Sequence, residues 1–401
     1  MNRRWLLFSM GAAACASTDA ILDHHGEPSE GGIVVTDAGA ADAPDAEVDA
    51  GPCEDCEYFP EVCSSDALCS NGPFDPTTIG GSLDMRAQVN AIRGRSPNDV
   101  WIAGPLGALA HFDGTSWARS DLGRQETLRG LWLRDSVEIA LGLPVSYEDR
   151  LRVYARGSAA PDGGVSPSAD GWKAFSAPIP PISLFTIEST CAWGAPGAES
   201  LWIAIQMSEA LTESHGGLLR MRVSASSAFE LEAVPQVVCG PECNRMKGVH
   251  GASANDVWAV GVSGMTMRVA DAESETPRAT IYDSRTWNTL NAVWAASDTE
   301  AWSVGAAGTI RHYAGRPLEW DVVPDVPTTV ALNAVWGSSS SDVWAVGDEG
   351  VVLHYDGKSW SRVKIAGLGA RRPKLTAVWV PAPGHVWIGG QGVFLSLGGK
   401  S

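Results

Sequence analysis

The chain has little charge for its length. Asp, Glu, Lys and Arg make up 19% of its 401 residues, which leaves few of the charged residues that favour helices. It shows no basic stripe, which argues against nucleic acid as a partner. The apolar run from Trp5 to Met10 is too short to span a membrane. The chain carries no nucleophile elbow, HExxH helix, P-loop or dinucleotide fingerprint. Those common catalytic chemistries are therefore excluded, and no cofactor or metal is implied. What the chain does hold is glycine (44), proline (24) and tryptophan (17), a mixture suited to many short strands joined by turns.

The net charge of −18 is unevenly placed. Residues 1–61 carry thirteen acids against Arg3 and Arg4, a net of −11, which leaves −7 for the rest. The start, MNRRWLLFSMGAAAC, has a basic n-region, an apolar run and small residues before Cys15. That layout is an export signal (residues 1–15). It looks like a bacterial lipoprotein signal in which Cys15 is lipidated, and Arg3-Arg4 gives a weaker likeness to a twin-arginine signal. Residues 16–52, including TDAGAADAPDAEVDAG, have almost nothing to bury and are expected to form a disordered tether.

In an oxidising compartment the cysteines read as disulfides. Cys53, Cys56, Cys63 and Cys69 would form two bridges within a small segment, 53–71. Cys239 and Cys243 flank a GPE turn and would form a third. Cys191 stands alone and is expected to stay a buried thiol. A zinc site at 53–69 is the rival reading, but its second pair lacks close CxxC spacing.

The remainder, residues 72–401, is a repeat. LNAVWGSSSSDVWAVG (332–347) returns at 290–305, 375–390, 246–261 and 89–104, and in degenerate form at 128–142 and 189–205. Seven copies at this spacing predict an all-β, seven-bladed β-propeller of four-stranded antiparallel blades. The tryptophans fall in three columns. The first holds Trp132, Trp193, Trp294, Trp336 and Trp379. The second holds Trp101, Trp202, Trp258, Trp302, Trp344 and Trp387. The third holds Trp117, Trp172, Trp287, Trp320 and Trp360, although Trp287 lies only three residues before the next repeat. The seventh repeat stops after GVFLSL. Residues 72–80 are expected to supply its missing outer strand, since Phe74 precedes Val89 by the offset that separates Trp360 from Leu375.

VWAVGDEGVVLHYDGKSW resembles the repeat of photosystem II assembly-factor-like propellers and, more loosely, the Asp-box repeats of sialidase-like propellers. It is also similar to repeat lipoproteins of bacteria with large secretomes. The Asp-box itself is not met, because YDGKSW and FDGTSW lack the residue between Asp and Gly. The resemblance implies a scaffold, and a scaffold does not determine function.

His111, His312 and His354 recur in one column and read as structural; a catalytic histidine would be unique. Asp99, Asp256 and Asp342 recur before the second strand and are expected to close the preceding turn. Departures from the repeat are more informative. Arg93 and His250 replace the first-column tryptophan on innermost strands and are candidates to face a ligand in the central channel. One rim gathers the insertions at 144–149 and 206–217, the cysteine turn at 239–243, and the basic loop with Arg371, Arg372 and Lys374. The reading is a monomeric, non-catalytic propeller, lipid-anchored at the cell envelope, that binds a protein or glycan through that rim. The alternative is a carbohydrate-active enzyme on the same scaffold.

Overall fold

The computed structural model describes residues 55–74, 83–134, 136–145, 150–158, 160–165, 168–180, 187–207, 217–223, 229–233 and 245–399. Cys15, the acidic tether, Cys53 and the Cys239–Cys243 turn lie outside these residues. Among the described residues, 28 strands form seven four-stranded antiparallel sheets. Each sheet is one blade. The inner strands of blades one to seven are Ala91–Ser96, Gly130–Arg134, Ile187–Trp193, Met246–Ser253, Leu290–Ser297, Leu332–Ser339 and Leu375–Ala382.

The tryptophan columns become cross-strand pairs. Trp193 faces Trp202, Trp294 faces Trp302, Trp336 faces Trp344, and Trp379 faces Trp387. Arg93 faces Trp101 and His250 faces Trp258, so both replacements stand in the first column as the repeat requires. Strands one and two are buried on both sides because each blade is sandwiched between two others.

The first-column indoles do more than fill space. Trp132, Trp193, Trp294 and Trp379 each lie over the inner strand of the next blade, at the residue that follows that blade's own first-column position. A Cβ on Gly94 would sit 2.4 Å from the Trp379 ring, one on Gly194 2.7 Å from Trp132, and one on Gly251 or Gly337 2.7 Å from Trp193 or Trp294. Glycine is thus obligatory at these four positions, where the preceding blade lays its indole on the strand. Where the preceding blade has Arg93 or His250, the same position holds Leu133 or Ala295.

A second contact joins the blades at the inner-strand entrance. The ladder slips by one residue at Lys247, Asn291, Asn333 and Thr376, and such bulges re-aim the side chain. Asn291 Nδ2 donates to Leu332 O (2.9 Å) and Asn333 Nδ2 to Leu375 O (2.9 Å). Thr376 Oγ1 donates to Val89 O (2.6 Å), which closes the ring from blade seven to blade one. Asn90 Nδ2 makes the equivalent bond to Leu128 O (2.8 Å).

The recurring acids and histidines also serve the blades. His111 Nε2 lies 2.8 Å from Asp99 and His354 Nε2 2.8 Å from Asp342, while Arg268 grips Asp256 at 2.7 and 2.8 Å. The carboxylates therefore tie the second strand to the third, beyond the turn closure expected. Burial opposes ionisation of Asp342, but hydrogen bonds from His354, Ser338 and Trp344 hold its carboxyl below the usual range.

The closing strand differs from expectation. The outer strand of blade seven is Leu68–Ser70, paired antiparallel with Val393–Leu397, and not residues 72–80. The offset from Phe74 misled because residues 71–88 intervene between the closing strand and blade one. Phe74 is still buried, packed with Phe394 and Trp387. The segment before the strand is clasped to blades six and seven. Asp55 accepts from Arg372 (2.9 and 3.0 Å) and Arg362 (3.4 Å), and Phe59 lies beneath the Arg372 guanidinium at 3.5 Å. Cys63 and Cys69 form one disulfide. Cys56 and Cys191 are also disulfide-bonded, to partners outside the described residues, so Cys191 is not the free thiol expected. Trp287 is likewise not in the third column. The outer strand of blade four is Arg278–Tyr282, and Trp258 already carries Trp320 of blade five together with Tyr282 and Tyr313.

Two consequences are measurable. Gly337→Ala forces a methyl into the Trp294 ring and is expected to lower unfolding free energy by about 1–3 kcal/mol. Denaturant midpoints equal to wild type would contradict the wedge. A chain starting at Asn71 loses buried Leu68 and Phe59 and should be roughly 3–6 kcal/mol less stable, whereas removing residues 1–52 should leave the melting midpoint in place. Equal midpoints for all three chains would show that Leu68–Ser70 does not close the ring.

Candidate partner-binding face and central channel

Hairpins between second and third strands and the loops between blades share one face. In blades four, five and six the hairpins are single 3-10 turns at Val262–Gly264, Ala306–Gly308 and Asp348–Gly350. The middle residues Ser263, Ala307 and Glu349 have φ of 57°, 52° and 55°. The glycine that follows also has positive φ, and at Gly264 a Cβ would lie 1.9 Å from Thr286 O. Each hairpin thus lies tight beneath a neighbouring segment, and in blade four that segment is the loop leading to the next blade.

That loop, residues 283–289, is held from three sides. Asp283 Oδ1 accepts from Arg285 N (2.7 Å), and Ser284 Oγ donates to Gly264 O (2.5 Å). Arg311, nearly buried, donates to Ser284 O (2.8 Å) and Arg285 O (3.1 Å). Asn288 Nδ2 donates to Thr309 Oγ1 (2.8 Å). At the top of this braced loop the Trp287 side chain projects into solvent, 87% exposed. Arg285 beside it is exposed and pairs with Glu319 at 3.4 Å. Leu106, in the blade-one hairpin on the same face, is 70% exposed. Sequence reasoning assigned Trp287 to the core; the signal that could have found it was its misfit in the column.

The basic loop divides. Arg372 is committed to Asp55 and Phe59. Arg371 stands at the edge of a groove of about 340 Å³ lined by Phe74, Met85, Leu368, Val393 and Phe394, and donates to Gly392 O at 3.3 Å. Lys374 lies 4.0 Å from Asp348. Residues 208–216 and 239–243, and most of 144–149, lie outside the described residues.

Arg93 and His250 do meet in the channel. Both pack on Trp336: the Arg93 guanidinium lies 4.8 Å from its ring centre, and the His250 ring stands edge to face at 4.7 Å. Arg93 donates to Ile92 O (2.8 Å) and Ala192 O (3.3 Å). His250 Nδ1 accepts from Ala295 N (3.2 Å), so its proton is on Nε2. In the blade after Trp336 the position that is glycine opposite its counterparts is Val380, and Trp336 packs against four separate core clusters. The cavity these residues leave is only about 40 Å³. Burial, reinforced by repulsion from Arg93, holds the His250 pKa well below its ordinary 6.5.

The sign of that shift predicts a pH effect. As pH falls below about 6.5 the unfolded chain takes up a proton at His250 before the folded chain does. Stability is therefore full above that pH and declines below it, by up to about 1.4 kcal/mol per pH unit from this residue. Urea unfolding of wild type and His250→Phe between pH 7 and 5, in low-salt halide-free buffer, should show a shallower decline in the variant. Parallel curves would mean that His250 titrates alike in both states.

No family model matches the chain, and no curated protein matches it significantly. Solved structures do. YCF48 bound to D1 peptide is similar with a TM-score of 0.56 at 14% identity, over 84% of this chain and 96% of its own. YCF48 from Cyanidioschyzon merolae gives 0.55 at 14%, over 78% and 96%. The WD40 propeller domain of Doa1 gives 0.52 at 8%, over 77% and 92%. At these identities the likeness is one of fold. It agrees with the resemblance of the repeat to photosystem II assembly-factor-like propellers.

Proposed function

We propose that this chain is a non-catalytic binding protein whose loop-rich face holds a protein partner, with Trp287 as the anchor. The observation that carries this is the braced, 87% exposed tryptophan. A large apolar ring facing water is unfavourable to the free chain, and the loop beneath it is already ordered, so little entropy is lost when a partner covers it. Tryptophan is enriched among residues that dominate interface energies. The groove beside Arg371 on the same face offers a second, mixed contact. YCF48, similar in fold, has been solved with a peptide bound. The carbohydrate-active reading gains no such support, because a channel cavity of about 40 Å³ is too small for a sugar ring.

The place of binding follows from the N-terminus. Export through the signal, lipidation at Cys15 and the acidic spacer 16–52 would hold the propeller off a membrane at the cell envelope. Its cysteine pairs suit that oxidising location.

The test is retention of envelope proteins by the immobilised chain, followed by affinity measurement with the protein retained. Trp287→Ala should weaken binding about 30-fold with a melting midpoint close to wild type. Undiminished affinity in the variant would remove Trp287 as the anchor. Release of a shortened glycan from envelope material would replace the binding reading with the enzymatic one.

A further inference from the structure

We infer that the central channel is a binding site for a small monovalent anion of chloride size, held between the Arg93 guanidinium and the Nε2–H of His250. Both groups line the same cavity, together with Arg129, and both rest on the indole of Trp336. No carboxylate is among the described residues lining that cavity. Arg93 is partly buried, and a guanidinium withdrawn from water without an anion is costly, because the carbonyls of Ile92 and Ala192 supply only partial charges. The field around Arg93 agrees: burial pulls its pKa down to about 10, and no acid acts against the pull.

His250 supplies the second contact. Its Nδ1 is used by the Ala295 N–H, which leaves Nε2 as a proton donor lining the cavity. Two donor side chains lining one small cavity suit a spherical anion better than a cation. The volume sets the size. About 40 Å³ exceeds the roughly 10–15 Å³ that one water requires, so a halide with a water or two fits and a sugar or carboxylic acid metabolite does not. This site is independent of the partner-binding face.

The experiment uses bromide as the probe. Crystals of the exported chain grown in sodium bromide should show an anomalous peak in the channel in contact with the Arg93 guanidinium; a channel holding only water-like density would overturn the proposal. In solution, the melting midpoint of wild type should rise by about 2–4 °C for each tenfold increase in chloride above its dissociation constant. Gluconate at the same ionic strength should not produce that rise, and Arg93→Met should abolish the difference between the two salts. An equal chloride response in Arg93→Met would also overturn it. Should that variant fail to fold, the bromide map of the wild type decides alone.

Discussion

The fold depends on one contact repeated around the ring: an indole of one inner strand lying on a glycine of the next. The contact brings two backbones close across a flat apolar ring, and it tolerates no Cβ on the receiving side. It therefore couples positions far apart in the chain. Gly194 answers Trp132, Gly251 answers Trp193, Gly337 answers Trp294 and Gly94 answers Trp379. Where Arg93 and His250 interrupt the column, the receiving positions are Leu133 and Ala295, free to carry a side chain because no indole lies on them. Trp336 is the exception that fits the same rule. Val380 stands where a glycine would receive it, so its indole turns to the channel and becomes the platform for Arg93 and His250.

A ring built from such wedges must also close, and closure is where chain order and spatial order part. Thr376 bonds to Val89 O across the junction, and Leu68–Ser70 pairs with the last strand of blade seven. The clasp of Asp55 on Arg362 and Arg372 holds that strand against its seam. An arginine read from sequence as free for a ligand is thereby spent on architecture. The neighbouring Arg371, paired with no carboxylate among the described residues, is left at the groove.

Much of this was legible because the repeat repeats. Trp344 and Trp336 face each other since alternation along paired strands leaves them no other register. His354 and Asp342 were readable as structural because each had equivalents in other blades. What was not legible lay where the pattern is broken by spacing. The insertion between Ser70 and Val89 hid the closing strand behind a false offset at Phe74. Cys191 looked solitary because its partner is distant in sequence, and pairing depends on spatial approach rather than on spacing. Trp287 matched its column by residue type alone. Three residues before the next inner strand it had no length of chain in which to form an outer strand, and the outer strand of its blade, Arg278–Tyr282, had already ended.

The two breaks in the tryptophan columns have opposite fates, and that contrast bears on function. Arg93 and His250 replace a wedge and turn inward, so their chemistry is confined to a cavity too small for a macromolecule or a sugar. Trp287 leaves its column and turns outward, on a loop whose hydrogen bonds to Gly264, Thr309 and Arg311 fix it before any partner arrives. A propeller with so little room at its axis leaves only its rim as a surface for a macromolecule. The same close packing that plugs the axis also makes the rim rigid, because the hairpins are pinned beneath the loops above them by glycines with no room for a side chain. The proposed binding at Trp287 would proceed with the backbone already in place, so that the free energy of covering the indole would go to affinity rather than to ordering the loop.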